Sequence, residues 1–186
     1  MVYSQHTSTC TGFALAGAMS QILGIEIPEE EVYAYYKKYD DDRPGIRITA
    51  LLRTLKQKET FGGFHVRDYE TIYNFRSGPH RNKTGLSERT KYEHRKMKTG
   101  VLVGFQLGKN PYINLNSRDE YQTPKGDGGP HMMFVKSVWF DKYGAFLGFI
   151  IQNSWGEDFG DKGTFKIEKE KFFSDVKMVI SFTIEQ

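Results

Sequence analysis

An α+β fold, helices first and strands second, follows from three features of the 186-residue sequence. A near-continuous apolar run, Phe13 to Leu23, lies close to the N-terminus. A second stretch with helical spacing, Ile48, Leu51, Leu52 and Leu55, completes a helical first part. From Gly100 onward the chain alternates apolar runs with tight turns, which predicts an antiparallel sheet or half-barrel. The predicted architecture is an N-terminal helical lobe around one central helix, packed on a C-terminal β lobe.

The run Phe13, Ala14, Leu15, Ala16, Ala18, Met19, Ile22 and Leu23 is too long for one strand, and Gly24 follows as its stop. A helix apolar on all sides is a buried one. Thr9, or Thr11, can cap its start. The only cysteine, Cys10, then sits among unpaired N–H groups at the positive end of the helix dipole, which favours thiolate. The bland alternative is a small buried hydrophobe.

Ile27 to Lys38 reads as a second helix, with Pro28 in its first turn, acids next and lysines last. Asp40-Asp41-Asp42 lacks the alternating oxygen spacing of a calcium loop and reads as a solvated turn; no metal site is expected. Ile46 to Lys58 is a third helix, and residues 60–75 form a turn and extended segment leaving the helical lobe. Arg76 to Lys98 holds eight cations against two carboxylates, a net +6 where the whole chain carries +3. It reads as a solvated basic insertion; its functional alternative is a contact for nucleic acid or an acidic substrate. Gly100 to Leu107 is a buried strand. Residues 108–130 form a long loop, and His131–Phe140, Phe146–Gln152, Gly163–Ile167 and Val179–Ile184 are further strands. The division is thus a helical lobe at 1–75, the insertion at 76–98 and a β lobe at 99–186, within one domain-sized unit.

A lone cysteine allows no internal disulfide, and no segment approaches 18 consecutive apolar residues. With no signal-peptide pattern at Met1 to Gln5, a cytoplasmic, intracellular protein with no membrane association is expected.

Three blocks stand in one order: Cys10 opening a helix, Gly129-Pro130-His131, and Asn153-Ser154-Trp155-Gly156 followed by Phe159-Gly160 and Lys162-Gly163-Thr164-Phe165. In this order the chain resembles the papain-like cysteine peptidases, whose sequence of groups is Cys, His, Asn. His131 and Asn153 lie 121 and 143 positions after Cys10, against roughly 130–150 in papain and cathepsins. The resemblance implies Cys10 as nucleophile, His131 as base and Asn153 as the amide orienting its ring. Cys10 and His131 would rest as a thiolate–imidazolium pair. It implies an oxyanion donor in Gln5, one residue nearer the nucleophile than the family spacing, and a cover over the His–Asn bond in Trp155. Substrate contacts fall to Gly45, Gly129 and Trp155, although the paired glycines expected at Gly45 are missing. Thr11-Gly12-Phe13 replaces the usual aromatic after the nucleophile, and Met132 stands where a small residue commonly follows the histidine.

The reaction implied is hydrolysis of a peptide bond through an acyl-enzyme, with no cofactor and with protein or peptide as substrate. Secreted relatives carry a pro-segment and several disulfides; here another form of control, or an origin in a longer precursor, is expected. A prokaryotic or viral source fits the same resemblance. Three other readings stay open at this point: a catalytically silent peptide-binding module, a basic nucleic-acid-binding protein whose affinity falls with salt, and a different thiol amidase or transferase.

Overall fold

The computed structural model describes residues 3, 9–32, 47–57, 60–76, 81–108, 113–126 and 128–185. Helix α1 (Cys10–Leu23) is buried from Thr11 through Ser20, as an all-round apolar helix must be. Gly24 ends it in the left-handed conformation and returns its N–H to the Ser20 carbonyl at 2.9 Å. Residues 29–32 are helical; the rest of the expected second helix, and Gly45, lie outside the described residues. Helix α2 (Ile48–Gln57) buries Ile48, Leu51, Leu52 and Leu55, the predicted face.

The extended segment expected before residue 75 is strand β1 (His65–Asn74), and it joins the main sheet instead of merely leaving the helices. With β2 (Thr99–Gln106), β5 (Pro130–Phe140), β6 (Phe146–Gln152), β7 (Thr164–Glu168) and β8 (Val176–Glu185) it makes six antiparallel strands in the order β1-β8-β2-β5-β6-β7. Helix α3 (Leu86–His94) lies between β1 and β2 in sequence. A two-stranded ribbon, β3 (Asn114–Leu115) with β4 (Tyr121–Gln122), lies in the long loop, and α4 (Lys169–Asp175) precedes β8.

The sheet separates two cores by simple alternation. Leu102, Phe134, Ile180, Phe182 and Ile184 face α1 and α2. Val101, Val103, Phe105, Met133, Val135 and Val179 face the other way, onto Phe149, Phe165 and Phe172. Strand β2 is covered on both sides, so its sequence reads as an unbroken apolar run.

Three contacts on one side of α1 lay it along β5. The Cys10 thiol is hydrogen-bonded by the Met132 backbone. Gly17 sits against the Phe134 ring, and Gln21 Nε2 donates to the Lys136 carbonyl at 2.8 Å. Positions 10, 17 and 21 share a helix face, so the seam fixes where the first turn of α1 lands. A Cβ at Gly17 would lie 2.4 Å from Phe134 Cε1, and that ring is buried in the core. Gly17→Ala, which gains about 1 kcal/mol in an exposed helix, is therefore expected to cost about 1–3 kcal/mol by overpacking. Urea denaturation checks this; a variant as stable as the parent would mean that α1 does not rest on Phe134 so closely.

Candidate active site

His131 is the second residue of β5, and the loop before it is pinched shut. Leu107 N–H donates to the Gly129 carbonyl at 2.9 Å and Gly128 N–H to the Leu107 carbonyl at 2.8 Å. Gln106 Nε2 also donates to the Gly128 carbonyl. A Cβ at Gly128 would lie 2.0 Å from the Gly108 carbonyl oxygen, so only glycine allows the two backbones to meet. A loop whose last turn is fixed in this way delivers the histidine in one position.

Asn153 follows β6. Its N–H donates to the Gly163 carbonyl at 3.0 Å, and Gln152 Nε2 donates to the same carbonyl at 2.9 Å. Asn153 Oδ1 accepts the Ser154 N–H at 2.8 Å and lies 2.7 Å from His131 Nε2. A backbone N–H can only donate, so this atom of the amide is the oxygen, and Nε2 carries the hydrogen. The neutral ring then presents Nδ1 as its free lone pair, and the thiol of Cys10 lies against the backbone of the next residue, Met132. Trp155 stacks on the His131 ring at 4.8 Å and 28°, and Phe159 meets Trp155 edge-on at 5.2 Å. Ring and amide are both buried, His131 to 5% and Asn153 to 3% exposure.

Thr9 occupies the N-cap position, but its side chain makes no cap hydrogen bond, contrary to expectation. The first-turn N–H groups of α1 are turned to the cysteine instead: the thiol has hydrogen bonds with the backbones of Thr11 and Cys10 itself. These favour thiolate, but burial outweighs them and pushes the thiol above its ordinary pKa. Burial likewise pulls His131 down to about 4, only partly offset by Asn153. Desolvation thus opposes the charged form of each group, against the expected thiolate–imidazolium pair.

The structure brings His131, Asn153 and Trp155 into direct contact, and places the Cys10 thiol at the backbone of Met132, the residue after His131. Gly129 is exposed, with open space over its α-carbon. Gln5 and Gly45 lie outside the described residues. The sequence reading missed Tyr3. Its carbonyl accepts the Gly156 N–H at 2.9 Å, its hydroxyl donates to the Ile27 carbonyl at 2.7 Å, and its ring packs on Phe13 at 5.1 Å. It thereby links α1 and the Ile27 backbone to the turn after Asn153. Nothing in a single tyrosine near a terminus signals such a role.

Solved structures share this architecture from end to end. The chain covers 98% of itself and 66% of a structure of the mite allergens Blo t 1 and Der p 1, at 17% identity and a TM-score of 0.62. It covers 100% of itself and 61% of the proform of the Amb a 11 cysteine protease, a ragweed pollen allergen, at 14% identity and 0.62. For the bromelain protease of Ananas comosus with the E64 inhibitor the figures are 99%, 93%, 14% and 0.57. The fold is that of the papain-like cysteine proteases. The chain spans about two thirds or less of the length of the first two of these papain-like structures. Neither a protein-family model nor a curated protein matches the sequence. Among the described residues no helix is long and apolar enough to cross a membrane.

One expectation follows from the amide. Asn153→Ala removes the acceptor that fixes the His131 tautomer, so the ring hydrogen is no longer held on Nε2. Second-sphere partners of this kind are worth about 10–100-fold where measured on metal-bound histidines, and a loss of that order in Cys10 alkylation rate is expected. Equal rates in parent and variant would show that packing under Trp155 alone orients the ring.

Proposed function

We propose that this protein is a thiol-dependent peptidase or amidase that hydrolyses peptide bonds through an acyl-enzyme on Cys10. The observation that supports the reading is the double acceptance at Asn153 Oδ1, from Ser154 N–H and from His131 Nε2–H, which leaves Nδ1 unprotonated as the proposed base for Cys10, whose thiol lies at the backbone of the next residue, Met132. In the proposed reaction the Cys10 sulfur bonds to the substrate carbonyl carbon while its proton passes to His131 Nδ1. The same proton then goes to the departing amine as the C–N bond breaks, leaving a thioester. Water attacks that thioester, gives a proton to Nδ1, and the S–C bond breaks with return of the proton to sulfur. The Cys10 backbone N–H and the Gln5 amide are the proposed oxyanion donors.

Trp155 keeps water from the His–Asn hydrogen bond, and Gly129 and Gly45 are the proposed contacts for substrate backbone. A single free cysteine suits a reducing, cytoplasmic compartment.

The test is hydrolysis of denatured casein and of a fluorogenic peptide mixture by the parent chain and Cys10→Ala, with intact mass to detect the acyl-enzyme. Turnover and an acyl adduct in the parent alone are expected. Turnover that survives in Cys10→Ala, or none in a parent whose Cys10 also fails to react with an epoxide, would overturn the reading.

A further inference from the structure

The basic stretch at 76–98 splits into two parts once its partners are known. On α3 and just after it three cations are paired, Arg89 with Glu70, Lys91 with Glu88 and Lys96 with Glu93 at 2.6 Å, while Arg95 and Lys98 pair with no carboxylate among the described residues. Upstream, Arg76, Arg81 and Lys83 gather with Lys177 of β8 where β1 ends and β8 begins, since Phe75 N–H donates to the Lys177 carbonyl at 3.0 Å. The Arg76 guanidinium lies 5.1 Å and the Lys177 ammonium 5.9 Å from the centre of the Phe75 ring. Arg81 Nε donates to the Phe75 carbonyl at 2.9 Å. Lys83 sits 5.0 Å from the Tyr73 ring and 5.5 Å from the Phe173 ring, donating to the last carbonyls of α4.

The nearby carboxylate, Asp175, accepts Thr123 Oγ1 and Ser174 Oγ, each at 2.6 Å, and its charge also acts on Lys83. No carboxylate among the described residues pairs with Arg76, Arg81 or Lys177. The cluster is thus a preformed positive field held on exposed aromatic rings, Phe75 and Phe173 being 37% and 44% exposed.

Its place in the sheet relates it to the candidate active site. Asn74, Met178, Gly104 and Met132 pair in one row across β1, β8, β2 and β5. Three strand spacings separate Met132, which touches the Cys10 thiol, from Asn74, about 14 Å in all. Tyr73, beneath Lys83, belongs to the core on the other face of the sheet, so a segment docked there needs more than the roughly four or five extended residues of the straight row to reach Met132.

We propose that this cluster is an exosite for an acidic peptide segment of the substrate, docking Asp- or Glu-rich chain at the β1–β8 edge of the sheet, away from the bond cleaved; the inference rests on the peptidase reading for the word substrate. Single-stranded nucleic acid fits less well, because it needs bare ring faces for its bases, and here Arg76, Lys177 and Lys83 lie over the rings.

The test measures binding and not catalysis, so that it stands or falls separately from the proposed reaction. A fluorescein-labelled Glu-rich peptide is titrated by anisotropy with the full chain carrying Cys10→Ala, alone and combined with Arg76→Glu/Lys177→Glu, with Arg76→Gln/Lys177→Gln, or with Lys136→Glu/Lys142→Glu as an equal charge change elsewhere. Thermal melts confirm that each is folded. About tenfold weaker binding is expected for the Glu pair, less for the Gln pair and little change for the control, with affinity falling as salt rises. No binding by the Cys10→Ala chain, equal weakening by the control, or tighter and equally Arg76-dependent binding of an oligothymidylate would overturn it. With Cys10 restored, the same exosite variants are expected to hydrolyse neutral peptides like the parent, which separates this site from the catalytic reading.

Discussion

His131→Ala is expected to slow alkylation of Cys10 by an epoxide roughly 10²–10⁴-fold near neutral pH, the range a positioned general base supplies. A thiol and a neutral imidazole sharing one mobile proton can exist as SH with imidazole or as thiolate with imidazolium. These tautomers carry the same number of protons, so pH does not convert one into the other. Reactivity is lost only when a second proton is added or the last one removed. The first event is set by His131, drawn down to about 4 by burial. The second belongs to Cys10, pushed above its ordinary range by burial.

The parent should therefore label at a nearly constant rate from above pH 4 into the alkaline range, and His131→Ala should show a single rise at alkaline pH. Rates followed by intact mass decide it. A parent whose profile matches the alanine variant would mean that the thiol is never coupled to the ring.

Elements that carry their own apolar pattern were readable from the sequence. α1 and β2 are runs covered on every side, and α2 has one buried stripe. β1 was read only as an extended segment because it is an edge strand with mixed burial, paired on one side to residues more than a hundred positions away. α4 escaped notice because Phe172 alone of its residues is buried. For the candidate site, the motifs point to Cys10, His131, Asn153 and Trp155 but carry no mark of their electrostatics. The sequence places Cys10 at a helix start and so suggests thiolate. Desolvation depends on what covers the group, here β5 and the Trp155 turn, and such tertiary burial has no local sequence mark. The same holds for the basic stretch, whose surplus could be divided into cancelled and uncancelled charge only once Glu70 and the α4 carbonyls were in place.

Acidification should destabilise the fold through His131 itself. An unfolded histidine titrates near 6.5, and the folded one at about 4, so the folded state binds fewer protons between these values. A depressed folded pKa contributes stability that is fully present above the unfolded value and lost as pH falls towards the folded one. The difference corresponds to about 3 kcal/mol removed between pH 7 and pH 4. Structurally, the imidazolium would bury an Nδ1–H beside a neutral thiol, a weak acceptor, while Nε2–H keeps Asn153 Oδ1. His94, partly buried on α3 with its Nδ1 unpartnered among the described residues, is also depressed by burial and adds in the same direction.

Urea denaturation at a series of pH values, for the parent, His131→Asn and His94→Gln, separates the two. The drop from pH 7 to pH 4 should shrink by about 3 kcal/mol in His131→Asn, whatever that variant's stability at pH 7. Parallel curves for parent and His131→Asn would mean that the ring becomes protonated without cost, and hence that water reaches it beneath Trp155. Inactivation below pH 4 would then be loss of the base alone, instantly reversible, and not the onset of unfolding.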